Sequence, residues 1–162
     1  MGLDVDAFEK MTRIKDLRKG RSEDPDDEIG IFVNPDFPDQ ADEICNGIYR
    51  VEGERLSFPL GSYTQYNDWR NELSKITLGI PAERIWIGTS EGPMKGPFCE
   101  LINFSDCEGV FGPKTSLKLY QDFKDHELEF AMKSKDAHDC LIYVKFMRAF
   151  LIASKGGAVQ FS

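Results

Sequence analysis

The apolar positions change period along this chain, and the changes divide it into segments. Leu3, Ala7, Met11, Ile14 and Leu17 fall near helical spacing, which predicts a short helix over residues 3–18. From Gly20 to about Asp42 the chain turns to Asp, Glu, Pro and Gly, with "VNPDFPD" at residues 33–39. That composition predicts an irregular surface segment, with "IGIFV" as its one short strand. "GIYRVEGERLSF", from Gly47, alternates Ile48, Val51, Leu56 and Phe58 around Glu52-Gly53 and reads as a hairpin. In "PLGSYTQYNDWRNELSKITLG", residues 59–79, Tyr66, Trp69, Leu73 and Ile76 recur at i, i+3, i+7 and i+10, one stripe of a helix. Ser62 or Thr64 can cap its start, and Gly79 stands where a helix C′ residue belongs.

Ile85, Trp86 and Ile87 in "IPAERIWIGTS" predict a buried strand, and "EGPMKGP", residues 91–97, a turn-rich loop. "FCELINF", residues 98–104, reads as another strand, and Pro113 suits the first turn of a helix because its missing N–H would be unpaired there anyway. That helix carries Tyr120, Phe123, Glu127 and Phe130 on one face, with Leu117 beside them. A last helix covers "DAHDCLIYVKFMRAFLIASK" and stops at Gly156-Gly157. Its stripe of Tyr143, Phe146, Phe150 and Ala153 repeats the spacing of the Trp69 helix, as any two amphipathic helices do. "AVQF" closes the chain as an edge strand. These elements predict an α+β fold, a small mixed or antiparallel sheet with about three main helices packed on it. Residues 1–42 are expected to form an N-terminal helix and acidic irregular segment, and residues 43–162 a single compact domain.

Composition adds to this pattern in three places. The 162 residues can bury roughly two thirds of their unfolded surface without a metal or disulfide staple. Twelve Phe, 5 Tyr and 2 Trp point to a core built on rings. The net charge of −8 disfavours nucleic acid and anionic membranes as partners. The local exception, "RIKDLRKGR" at residues 13–21, is followed at once by the acidic "SEDPDDE", so a solvated helix end beside a neutralising loop is expected. No stretch has the length and apolarity of a membrane helix, and the acidic start does not resemble a secretory signal. Cys45, Cys99, Cys107 and Cys140 are widely spaced, which predicts reduced thiols in a cytoplasmic protein.

The least generic stretch is "ELINFSDCEGVFGP", residues 100–113. If a strand ends at Phe104 and a helix opens at Pro113, then Ser105, Asp106, Cys107 and Glu108 lie in a crevice beside a helix N-terminus. The same residues are turn formers, and Asp106 and Glu108 suit capping of that helix. Two flanking carboxylates would raise the Cys107 thiol, and only His126 and His138 could serve it as a base. His138 and Cys140, two apart on a helix, cannot face one ion, and no metal-ligand or phosphate-loop motif occurs; no metal or cofactor is expected. Tyr63, Tyr66 and Asn67 in "GSYTQYNDWR" could line a stacking pocket for a base, sugar or peptide ring. The favoured reading makes Tyr66 and Trp69 the buried face of their helix, because the stripe continues into Leu73 and Ile76.

"GSYTQYNDWRNEL", "ELINFSDCEGVFGP" and the closing "GGAVQF", in this order, resemble a family of small uncharacterised bacterial and phage proteins. The resemblance spans roughly Gly47 to Phe161. It departs at Gln65, where members have a small residue, and at Phe111, often aliphatic. The Gln implies that this position needs no positive φ angle. The resemblance implies one compact domain and a bacterial or viral origin, with no reaction and no residue roles attached. The function expected is therefore a non-enzymatic module binding a small molecule or a protein between the two motifs. Its competitor is a hydrolase or transferase using Asp106, Cys107 and Glu108, and a weaker third reading gives residues 1–42 to a protein partner as a binding arm.

Overall fold

The computed structural model of the chain describes residues 2–14 and 25–162. Five strands form one antiparallel sheet: β1 (Leu3–Arg13), β2 (Glu28–Ile31), β3 (Gly47–Gly61), β4 (Gly109–Phe111) and β5 (Ala158–Phe161), in the order β2-β3-β1-β5-β4. The helices are α1 (Tyr63–Leu78), the short α2 (Ala82–Ile87) and α3 (Cys99–Ile102), and the long α4 (Pro113–Lys133) and α5 (Ala137–Ala153). The fold is α+β, with three main helices, as the periodicities predict.

The N-terminal residues depart from expectation. Residues 3–13 are a strand rather than a helix, because Leu3, Val5 and Ala7 alternate with Asp4 and Asp6 and are wholly buried on the helix side. β1 lies between β3 and β5, so this segment is the middle of the sheet. The rest of the basic run, residues 15–21, lies outside the described residues. Gly53 makes a β-bulge rather than a hairpin turn: β3 runs unbroken, and its register with β1 shifts between Phe8 and Lys10. Glu9 fills the irregularity, its carboxylate accepting the N–H of Glu54 at 2.7 Å.

Two expected strands are short helices. Ala82 and Ile85, three apart, are buried, while Ile87 is 71% exposed, the one-sided pattern of a helical turn. Phe98 takes a left-handed conformation (φ 60°) and donates its N–H to Asp122 at 3.0 Å, and α3 starts from it. "AVQF" is a strand, but an interior one, because the three-residue β4 pairs outside it. Gly157 permits that position: a Cβ there would collide with the Phe8 carbonyl of β1.

The larger core joins the inner face of β1, β3, β4 and β5 to α1, α4 and α5, and rings dominate it. Phe146 sits at its hub, 5.0 Å from Trp69, 5.4 Å from Phe58 and 5.9 Å from Phe150 between ring centroids. Truncating such a ring costs about 3–5 kcal/mol. A smaller cluster on the other face gathers Ile31, Ala41, Tyr49, Val110 and Ala158. Among the described residues, no helix is long and apolar enough to cross a membrane.

Candidate functional site

Helix α1 holds one wall of the site, and its start is set locally. Ser62 Oγ accepts the N–H of Gln65, and the Gln65 side chain returns to accept the N–H of Ser62 at 2.8 Å, a complete capping box. Gln65 thus has a structural reason in the start of its own helix. Gly79 closes the helix at the expected C′. The stripe Tyr66, Trp69 and Leu73 packs into the core, and Arg70, one turn beyond Tyr66, is drawn in with it, only 3% exposed.

A buried guanidinium must find partners. Arg70 donates from one terminal nitrogen to the carbonyls of Ile102 (2.9 Å) and Phe104 (2.5 Å), at the exit of α3. Its other terminal nitrogen donates to Oδ1 of Asn67. The Asn67 amide nitrogen then donates to Oδ2 of Asp106 at 3.0 Å. Arg70, Asn67 and Asp106 form a relay in which the carboxylate answers the buried charge through an amide. No ion pair at 4.0 Å or less involves Arg70 among the described residues. The hydrogen bond from Asn67 holds Asp106 below the usual carboxylate range, with Cys107 and Arg70 assisting against burial.

Above the relay lies an open groove of about 440 Å³, lined by Phe37, Asn67, Arg70, Trp86, Asn103, Phe104, Ser105 and Asp106. Trp86, expected in a buried strand, is 44% exposed here. Its indole N–H donates to the Ile102 carbonyl at 2.7 Å, and Arg70 lies over the ring, 5.4 Å from its centroid. The ring is therefore held fixed with its polar edge spent. Two polar atoms of α1, Arg70 Nε and the Tyr66 hydroxyl, are sealed from solvent without a hydrogen-bond partner. Burial raises the pKa of that hydroxyl far above its ordinary value; Arg70 opposes the rise and Asp106 adds to it.

The structure divides the residues expected to act together. Asn67, Ser105 and Asp106 meet in the groove. Tyr66 is core, stacked on Trp69, and Tyr63 packs half-buried at the start of α1. Ser105 serves the turn, its Oγ accepting the N–H groups of Cys107 (3.1 Å) and Glu108 (3.3 Å). Cys107 and Glu108 are exposed. The Cys107 thiol donates to Asp106 Oδ1 at 3.4 Å, and that bond raises its pKa, with desolvation and the charges of Asp106 and Glu108 adding to it. His126 Nδ1 lies 2.9 Å from the Asp122 carbonyl of its own helix, with its ring against Phe98. His138 lines a separate cavity of about 360 Å³ between α1 and α5, beside Asp68, Glu72, Asp136 and Asp139. Among the described residues, no three His, Cys, Asp or Glu side chains are placed to hold a metal ion.

The expected strand-to-helix crevice does not form, because "SDCEG" joins α3 to β4 and not a strand to α4. The N-terminus of α4 is closed instead by Asp42, from 72 and 73 residues away. Asp42 Oδ2 accepts the N–H groups of Lys114 (2.8 Å) and Thr115 (3.1 Å), and Oδ1 accepts the Thr115 hydroxyl (3.0 Å). The residues that sequence reasoning missed are Arg70, Trp86, Asn103, Phe104 and Phe37. Only Arg70 left a signal, a charged residue four positions after Tyr66 and three before Leu73, on the buried stripe itself. No protein-family model matches the chain, and neither the curated proteins nor the solved structures yield a match.

Proposed function

We propose that this protein is a non-enzymatic binding module that takes a small polar ring molecule in the groove between α1 and residues 103–108. One observation carries the reading. A tryptophan fixed by its own N–H offers free π surface beside a carboxylate that its neighbours keep ionised and acceptor-only. The buried relay makes the groove rigid, which lowers the ordering cost of binding. A cytoplasmic location and a bacterial or phage origin belong to the same proposal, the latter resting on the resemblance of the two site motifs. The enzymatic alternative gains no support from the geometry: Cys107 is a raised thiol, and neither His126 nor His138 lines the groove.

Intrinsic fluorescence tests the proposal. Of the 2 tryptophans, Trp69 is buried and Trp86 lies in the groove, so a ligand there changes the emission of Trp86. A screen of nucleosides, monosaccharides and aromatic amino acids should yield at least one saturable change, lost in Trp86→Phe and weakened in Asp106→Ala. A saturable response that survives both substitutions would place the ligand elsewhere and sink the reading. So would turnover of an ester or phosphate substrate that is abolished by Cys107→Ala.

A further inference from the structure

We infer that the groove's ligand is a neutral planar ring with two adjacent N–H donors on one edge, of which guanine is the chemical archetype. This rests on the groove being the binding site and adds the class of molecule it selects.

The selection follows from which hydrogen-bonding capacity is already used. Both terminal nitrogens of Arg70 donate to internal acceptors, and its remaining donor, Nε, is sealed from solvent. The Trp86 N–H is spent on Ile102 and the Asn67 amide has one N–H on Asp106. The groove therefore lacks an open cationic fork for a phosphate or carboxylate. A cationic ligand gains little either, since the charge of Asp106 is answered by Arg70 through Asn67. What the groove offers for selection is the exposed part of the indole and the unused lone pairs of one carboxylate, with the second Asn67 N–H, the Ser105 hydroxyl and the Asn103 amide as further polar groups of its lining.

That carboxylate is partly committed in a way that selects geometry. Oδ2 accepts from Asn67 and Oδ1 from the Cys107 thiol, one side-chain bond each, with the backbone N–H of Asp106 itself also near the carboxylate. An ionised carboxylate has about four acceptor positions, so each oxygen keeps capacity for one more donor. Two parallel N–H groups on the edge of a flat ring meet both oxygens at once, as a guanidinium fork does, without carrying a charge. The N1–H and exocyclic amine of guanine are such a pair, and the ring is flat enough to stack on Trp86. Adenine lacks the pair, and a sugar ring lacks the extended π face.

The test titrates the full chain with guanosine, inosine, adenosine and methyl glucoside, reading Trp86 emission and heat of binding. Guanosine should bind, and inosine, which lacks the exocyclic amine, should bind at least tenfold more weakly. Guanosine monophosphate should bind no tighter than guanosine. Asp106→Asn should weaken guanosine at least tenfold while keeping the far-ultraviolet circular dichroism of the parent. Trp86→Phe supplies a second variant should Asp106→Asn fold poorly, and it should weaken guanosine and inosine by a similar factor. Equal affinity for guanosine and inosine, tighter binding of adenosine or the glucoside, or guanosine binding indifferent to both substitutions overturns the inference. If none of these probes binds, this inference falls, while the groove reading is judged by the wider ligand screen.

Discussion

Asp42 gives the sharpest prediction, because it performs the capping that the local sequence of α4 does not. The helix starts Gly112-Pro113, and no local side chain caps it. Three hydrogen bonds from Lys114 and Thr115 converge on the Asp42 carboxylate, two of them from N–H groups that would otherwise have no helical partner. Gly112 makes room for it, since a Cβ there would strike both the carboxylate and the Ala41 carbonyl. Replacing a helix cap by Ala costs about 0.5–2 kcal/mol, and a carboxylate on the positive end of a 21-residue helix belongs at the upper end. Asp42→Ala should therefore lose about 2 kcal/mol, a shift of roughly 4–8 °C in Tm for a chain of this size. Asp42 also stands at φ 54°, ψ −117°, a conformation that costs a non-glycine residue about 1–3 kcal/mol. Asp42→Gly loses the same bonds and relieves that strain, so it should be about 1 kcal/mol more stable than Asp42→Ala. Urea unfolding of the three proteins, read by circular dichroism, measures both differences. An Asp42→Ala protein within 0.5 kcal/mol of the parent, or a Gly variant less stable than the Ala variant, would refute the reasoning.

Arg70→Leu leaves the Phe104 carbonyl and the Asn67 amide oxygen without their buried donor and the Ile102 carbonyl with the Trp86 N–H alone, and should cost about 3 kcal/mol in urea unfolding; a loss below 1 kcal/mol would show that water replaces the guanidinium. The folded-state pKa of Asp106 is lowered, so its contribution is fully present above its unfolded value of about 4 and is lost as pH falls through the folded value. The stability gap between the parent and Asp106→Asn should accordingly be constant near pH 6 and close below pH 4; a gap that widens on acidification has the wrong sign. Removing the acceptor in Asp106→Ala should lower the raised Cys107 thiol pKa and speed its reaction with a disulfide reagent near pH 7.5, measured with Cys45 replaced by Ser. An unchanged rate would separate the thiol from Asp106.

How much of this fold could be read beforehand depended on how many periods a segment satisfied. The three long helices carry one period each, with end signals at Ser62, Gly79 and Pro113, and they lie where the sequence places them. Residues 3–11 satisfied two. Leu3, Ala7 and Met11 recur every four residues, and Leu3, Val5 and Ala7 every two, so only pairing with β3 and β5 decides for a strand. The short apolar runs at 85–87 and 98–104 were ambiguous for a related reason. The run at 98–104 is buried on nearly every side and shows no periodicity, the run at 85–87 is too short to show its one-sided burial, and a positive φ at Phe98 is invisible in its letter. Gly53 stands for a bulge where its position predicts a hairpin turn, because a glycine signals an unusual backbone without saying whether the chain turns back.

The site was legible to the extent that its chemistry was local. Ser105 accepts from the N–H groups of Cys107 and Glu108, and the Cys107 thiol donates to Asp106, all within three residues, so the turn they build follows from their order. What the turn faces depends on contacts 39 residues away, from Asp106 to Asn67, and 32 to 34 residues away, from Arg70 to Ile102 and Phe104. No pattern within one element encodes those distances. The same limit sent the helix-capping role to Asp106 and Glu108 when Asp42 holds it: a carboxylate near a helix start in sequence is the simplest cap, but the N–H groups accept any carboxylate the fold delivers. With α4 capped by Asp42, Asp106 is not needed there. It is left as the one groove residue whose charge, held by Asn67 and set against Arg70, still has lone pairs to offer, which is why ligand discrimination is expected to pass through it.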